Sequence, residues 1–176
     1  MTAPSVFEAL SLVIATSAAA VAAYQIYLSR AQHTAEYEWR RRERAISYSV
    51  YKNAEYRVAR DRVHEALGSF AGLDAPLKIQ HVYQKCEIHP KLRADLFVII
   101  SHWGRLSTEI ELNLIDEDAA FKYHSSTMPN VYFGLKEFID SRIEKNPLSY
   151  PDLVKVGDRW LKRRGEVRPD LREGLG

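Results

Sequence analysis

The sequence has few of the residues that form cross-links or bind soft metals. Its 176 residues include a single cysteine, Cys86, so no internal disulfide can form. A lone thiol suits a reducing compartment. No adjacent cluster of residues would stabilise its thiolate, and we therefore predict a partly buried, unreactive cysteine.

The chain also lacks a strong charge of either sign. Its 25 Lys and Arg are nearly balanced by 23 Asp and Glu, giving a formal net charge of +2. This balance provides no global basic field to attract nucleic acid. Glu36, Glu38 and Glu43 lie among the arginines and aromatics near residue 40 and argue against a local nucleic-acid surface.

The common catalytic and metal-binding motifs are missing. There is no Gly-rich phosphate loop, no Gly-x-Ser-x-Gly and no His-Glu-x-x-His. No two of the six histidines form His-x3-His and there is no cysteine pair, so we expect no metal and no cofactor. Glu109 and Glu111 fall on different faces of a helix, which argues against a shared acid–base site. The sequence favours a protein that is not an enzyme.

One catalytic alternative stays open. Arg57 and His64 are seven residues apart and share a helix face. They match the loosest form of the Arg-x(4–6)-His motif of HEPN-type RNases, in which the histidine acts as acid or base and the arginine steadies the phosphate. This pair is the candidate site for an RNase activity.

Charge is absent over a long stretch near the N-terminus. No charged residue falls between Glu8 and Arg30, and residues 9–28 are mostly apolar. Twenty residues in a helix span about 30 Å, the thickness of a bilayer. We predict a single transmembrane helix within an N-terminal anchor, residues 1–29. Two alternatives are a cleaved signal peptide, with small residues at 18–20, and a buried helix of a soluble protein.

The flanks of this stretch predict its orientation. Lys and Arg near a span are retained on the cytoplasmic side, and here they all follow it, which places the N-terminus outside. The residues assigned to the membrane interface and topology are Tyr24, Tyr27, Arg30, Arg40, Arg41, Arg42 and Arg44. The arginines have a second interpretation, as a site for anionic lipid headgroups.

Small residues recur every four positions within the predicted anchor. They are Ser11, Ala15, Ala19 and Ala23. This spacing places them on one helix face, where two backbones can approach closely. We therefore predict that the chain forms homo-oligomers through this face.

The rest of the chain is also predicted to be helical. No Gly or Pro lies between Arg30 and Leu67, and an apolar stripe predicts one long juxtamembrane helix, residues 30–67, continuing the span. The stripe consists of Ile46, Val50, Ala54, Val58, Val63 and Leu67. We predict that residues 68–164 form a small cytoplasmic helical bundle and that residues 165–176 form a flexible tail.

Within the bundle, local signals mark individual helices. The central core helix is predicted from Leu92, Leu96, Ile99, Trp103, Leu106, Ile110 and Leu114, which advance by three or four residues. Asp74 and Asp116 are predicted N-caps, and Pro151 opens the last helix. No segment alternates with period two and no Asn-Gly or Asp-Gly turn occurs, so the fold class is all-α.

The layout resembles a bacterial family labelled domain of unknown function 4760. The segments that carry the resemblance are Glu38-Trp39-Arg40-Arg41-Arg42, residues 109–118, Phe138-Ile139-Asp140-Ser141-Arg142, Tyr150-Pro151-Asp152-Leu153 and Asp158-Arg159-Trp160. The resemblance implies a small membrane-anchored helical protein, associated with mobile elements and anti-phage loci. It transfers no activity onto particular residues.

Three functions follow as expectations. The first is a non-enzymatic, single-pass protein of the bacterial inner membrane that oligomerises and recruits a cytoplasmic partner, in the phage-defence setting that the resemblance implies. The second is an effector whose cytoplasmic domain senses a small anionic messenger, such as a cyclic oligonucleotide, and perturbs the lipid bilayer. The third is the HEPN-like RNase.

Overall fold

The structure is a computed structural model that describes the backbone of residues 6–49 and 52–167. Over these residues it contains helices and no strand, which confirms the predicted all-α class. The helices are α1 Val6–Ser47, α2 Ala54–Leu67, α3 Ile79–Ile88, α4 Leu92–Glu111, α5 Glu117–His124, α6 Thr127–Gly134, α7 Lys136–Lys145 and α8 Pro151–Val167.

The chain divides into two units, Met1–Arg40 and Arg41–Gly176. In the first unit, every described side chain from Leu10 to Arg40 is exposed. The only ion pair described there joins Arg40 to Glu36, one helical turn apart, at 2.5 Å. This unit therefore has no apolar core of its own among its described residues.

The described residues do not support the predicted transmembrane helix. Among the described residues, no helix combines the length and the apolarity that crossing a bilayer demands. The single-pass inner-membrane location predicted from the sequence is therefore wrong. Absence of charge misled the prediction, because eleven of the twenty residues from 9 to 28 are Ala, Ser, Thr or Gln, which favour the hydrocarbon core weakly or not at all.

The core of the second unit is built around α4. This helix packs against both α2 and α8, and α8 also packs against α6. Its buried apolar residues are Leu92, Leu96, Ile99, Ile100, Trp103, Leu106 and Ile110. The prediction of a central core helix is confirmed, except that Leu114 lies beyond its end and is 39% exposed.

The helix predicted to run unbroken to Leu67 is interrupted. Helix α1 ends at Ser47, and α2 begins at Ala54 with Asn53 as its N-cap, whose Oδ1 accepts a hydrogen bond from the Tyr56 amide at 3.0 Å. The predicted stripe therefore does not form one face. Val58 is 51% exposed, and Val50 lies outside the described residues. The buried face of α2 consists instead of Tyr56, Ala59, Val63 and Ala66.

Helix starts follow local chemistry in two places and tertiary contacts in a third. Asp116 caps α5 as predicted, accepting from the Ala119 amide at 3.0 Å, and α8 begins at Pro151 as predicted. Asp74 does not cap α3. That helix begins at Ile79, whose amide donates to Glu137 of α7 at 3.0 Å. A carboxylate distant in sequence thus replaces the local cap.

Gly157 in α8 provides a test of this packing. A Cβ at Gly157 would lie 2.6 Å from the ring of Tyr132, which is buried. We expect Gly157→Ala to lower the free energy of unfolding by about 1–3 kcal/mol through overpacking, although alanine is the better helix former. Chemical denaturation measures the change.

Gly104 in α4 is the matched control. A Cβ there would sit 3.4 Å from Tyr150, an ordinary contact. Gly104→Ala should leave stability unchanged or raise it by up to about 1 kcal/mol. Equal effects of the two substitutions would contradict the packing of α8 against α6.

Candidate functional site

The exposed surface of α1 is the first candidate site. Seven large apolar side chains of residues 10–28 are at least 40% exposed: Leu10, Ile14, Val21, Tyr24, Ile26, Tyr27 and Leu28. So many large apolar side chains uncovered on one helix are unusual in water, because each loses its stabilisation by burial. This surface therefore has the composition of a binding surface.

Two of the arginines after this surface, Arg41 and Arg42, have structural partners in the second unit. Arg41 donates to the Ile115 carbonyl at 3.1 Å and to the Asn113 side chain at 2.5 Å. Arg42 lies 3.3 Å from the carboxylate of Asp116. These arginines hold the loop between α4 and α5 within the second unit. The topology role predicted for them required a membrane span, which the described helices do not provide.

Two histidines bind the C-terminal end of α1. His124 donates through Nε2 to the Ala45 carbonyl at 3.1 Å, and His102 donates through Nε2 to the Tyr48 carbonyl at 3.2 Å. The last carbonyls of a helix have no partner within the helix. Side chains of α4 and α5 supply the missing donors, which fixes the point where α1 ends.

Trp103 lies between these two histidines. Its ring is edge-on to His102 at 4.8 Å and to His124 at 5.4 Å between ring centres, and its indole Nε1 donates to the Tyr56 hydroxyl at 3.0 Å. Trp103 is 1% exposed. One buried indole thus links the end of α1 to the start of α2, on either side of the break between them.

A polar cleft opens beside this break and is the second candidate site. It is called the α1–α2 cleft here, and its volume is about 540 Å³. Its lining residues are Arg44, Ser47, Tyr48, Lys52, Asn53, Ala54, His102, Arg105 and Glu109. They come from α1, α2, α4 and the segment joining the first two, all within the second unit. The volume is typical of a site for a small organic molecule.

The one carboxylate in the cleft is already engaged. Glu109 accepts a hydrogen bond from the Tyr48 hydroxyl at 2.8 Å, and its second oxygen lies 2.8 Å from Nε of Arg44. Burial, and then this hydrogen bond to a carboxylate, raise the pKa of Tyr48, so the phenol stays protonated. Arg44 thus balances the charge of Glu109.

Two further cationic side chains line the cleft, and no described carboxylate neutralises their charge. Lys52 and Arg105 are exposed, and no ion pair joins either of them to another described side chain. His102 adds no charge, because burial lowers its pKa to about 4. At neutral pH the lining therefore carries an excess of positive charge from Lys52 and Arg105.

The RNase pair predicted from the sequence lies elsewhere, on α2. Arg57 is exposed, while His64 packs edge-on against Phe70 at 5.6 Å between ring centres. Burial, followed by the nearby Arg60, lowers the pKa of His64. The catalytic role of this pair stays a prediction.

Metal binding and thiol chemistry find no support in the described part of the chain. No group of three or more His, Cys, Asp or Glu side chains there is arranged to hold a metal ion. Cys86 is partly buried, as predicted, and burial raises the pKa of its thiol, which disfavours the reactive thiolate.

Sequence reasoning missed most of the α1–α2 cleft. Of its cations only Arg44 was singled out, and then as a topology signal. Lys52 and Arg105 are 53 residues apart, and neither belongs to a recognisable motif. Val50 continues the apolar stripe through residues 47–53, so the sequence carries no clear signal of the break and none of which residues of α4 face it.

The family comparison agrees with the layout read from the sequence. A family model described as "Domain of unknown function (DUF4760)" matches residues 12–160. The chain belongs to the DUF4760 family. The resemblance found in the sequence is thereby confirmed. No curated protein and no solved structure matches the chain. The DUF4760 match covers every lining residue of the α1–α2 cleft and all of the exposed apolar surface of α1 except Leu10.

The environment of His102 predicts how stability depends on pH. The unfolded chain binds a proton at this histidine below about pH 6.5, whereas the folded chain does so only below about 4. Protonation therefore favours unfolding. We expect the free energy of unfolding to fall as the pH is lowered from about 6.5 to about 4, measured by urea denaturation.

His102→Gln isolates this contribution, because glutamine retains an N–H donor for the Tyr48 carbonyl and does not titrate. The variant should lose less stability than the natural chain over the same pH window. His124, whose pKa is also lowered by burial, continues to contribute in both proteins. Equal slopes in the two proteins would contradict a buried, neutral His102.

Proposed function

We propose that this DUF4760 protein is a non-catalytic assembly module that self-associates through α1 and thereby brings together two copies of its helical bundle. The observation that carries the proposal is the exposed apolar surface of α1, residues 10–28. This surface carries no charge, so a partner that covers it must itself be apolar. A second copy of α1 meets this requirement.

The spacing of the exposed residues supports a second copy as the partner. One set alternates in steps of four and three and is called the heptad stripe. It consists of Leu10, Ile14, Ser17, Val21, Tyr24 and Leu28, continued by Ala31 and Ala35. A repeat of 3.5 residues is the pattern by which two helices wrap around each other, with each stripe covering the other.

The residue types favour a particular geometry. Ile14 and Val21 fall at the heptad position where β-branched side chains favour a parallel coiled coil of two helices. Leu10 falls at the other stripe position, where leucine favours the same coiled coil. We therefore propose a parallel dimer. The next two positions of the repeat after Ala35 are the charged residues Glu38 and Arg42, so the apolar stripe ends before them.

The small-residue face predicted from the sequence gives a competing geometry. At about 100° per residue, Ser11, Ala15, Ala19 and Ala23 lie on nearly the opposite side of α1 from the heptad stripe. The stripe offers more apolar surface per residue than these small side chains. For association in water, where buried apolar area drives binding, the stripe is the favoured interface.

Light scattering on the full chain tests the proposal. We expect a mass of twice 20.2 kDa for the natural protein. Val21→Glu, which places a charge in the stripe, should shift the protein to monomer because the carboxylate would be buried without a partner. Ala22→Glu, the matched control, adds the same charge one residue away, outside the stripe, and should remain dimeric.

Three outcomes would overturn the proposal. One is a monomer at every concentration that the protein tolerates. Another is loss of the dimer in Ala15→Leu/Ala19→Leu but not in Val21→Glu, which would assign the interface to the small-residue face. The third is binding of the natural chain to lipid vesicles without any self-association.

A further inference from the structure

The α1–α2 cleft has the charge, size and lining of a binding site. We propose that it binds a small organic anion carrying a phosphate group, of about the size of a mononucleotide. The site lies wholly in the second unit and does not depend on self-association through α1.

Charge is the first argument. Arg44 and Glu109 neutralise each other across 2.8 Å, which leaves Lys52 and Arg105 to attract a ligand of opposite sign. Arg105 lies close enough to Tyr48 and His102 to influence the titration of both groups electrostatically, so its charge acts within the cleft. A phosphate group suits such a pair, because guanidinium and ammonium groups are its usual partners.

The lining provides the second argument. Tyr48 and His102 both line the cleft, their rings edge-on with centres 5.5 Å apart. A neutral histidine ring and a protonated phenol offer apolar contact to a flat group, such as a nucleobase, next to a charged phosphate. A cleft of about 540 Å³ accommodates both parts of such a molecule.

The backbone adds a third, weaker contribution. Asn53, the N-cap of α2, and Ala54, its first residue, form one edge of the cleft. The N-terminus of a helix carries a partial positive charge, which favours an anion near it. This effect reinforces the two cations, and the proposal does not depend on it alone.

Calorimetric titration of the full chain tests the site, with pyrophosphate, AMP and ATP as probes and adenosine as the uncharged comparison. We expect saturable binding of at least one phosphate compound and much weaker binding of adenosine. Affinity should fall as salt is added, because ionic contacts are screened. The absence of saturable binding by all three anions would overturn the proposal.

Substitutions locate the binding site within the fold. Lys52→Gln and Arg105→Gln should each weaken binding by about tenfold. Arg93→Gln removes an exposed arginine from the same helix as Arg105, but outside the cleft, and should bind like the natural chain. Arg105 also lines a neighbouring cleft with Tyr150 and Asp152, so loss in Arg105→Gln without loss in Lys52→Gln would contradict the proposal.

One variant should improve binding. Glu109→Gln removes the negative charge of the cleft while its side-chain oxygen still accepts the Tyr48 hydroxyl. Affinity for the anion should therefore rise several-fold. A general disturbance of the fold would lower the affinity of every variant, so opposite effects of Glu109→Gln and Arg105→Gln identify electrostatic binding. Weaker binding by a folded Glu109→Gln protein, shown by an unchanged melting curve, would count against the assignment.

Discussion

The placement of Trp103 in the core is the constraint on which the second unit depends. The indole is buried, donates to the Tyr56 hydroxyl and contacts both His102 and His124. Those histidines donate in turn to the last carbonyls of α1, while Tyr56 belongs to the first turn of α2. A single aromatic ring therefore contacts the side chains that bind the end of α1 and the first turn of α2, on both sides of the break. The α1–α2 cleft exists because the chain is interrupted at this point.

Features set by neighbouring residues could be predicted from the sequence. The core face of α4 follows from apolar residues at intervals of three and four, Asp116 caps α5 through an amide three residues away, and Pro151 begins α8 with its fixed φ. Each of these is marked by residue types within one or two helical turns, although the burial of α4 itself depends on its packing against α2 and α8. The local pattern of residue types is therefore sufficient to identify them.

Features set by distant residues could not be predicted in this way. The end of α1 depends on histidines 54 and 79 positions away, and the start of α3 depends on Glu137, 58 positions away. A Gly or Pro would have marked a break in the sequence, but here the break results from side chains of other helices that satisfy the freed backbone groups. The cleft has the same origin, since Lys52 and Arg105 line one cleft only when α2 is packed on α4.

The uncharged stretch of α1 shows why absence of charge and apolarity must be considered separately. A membrane span requires both properties along its full length, whereas a helix that dimerises in water requires an apolar stripe along one side. Five large exposed side chains of residues 10–28 meet the second requirement by repeating along the heptad stripe, while Ile26 and Tyr27 lie outside it. Alanines occupy much of the remaining surface and contribute helix propensity there. The composition that makes this helix too weakly apolar to cross a bilayer therefore fits the one-sided interface proposed for α1.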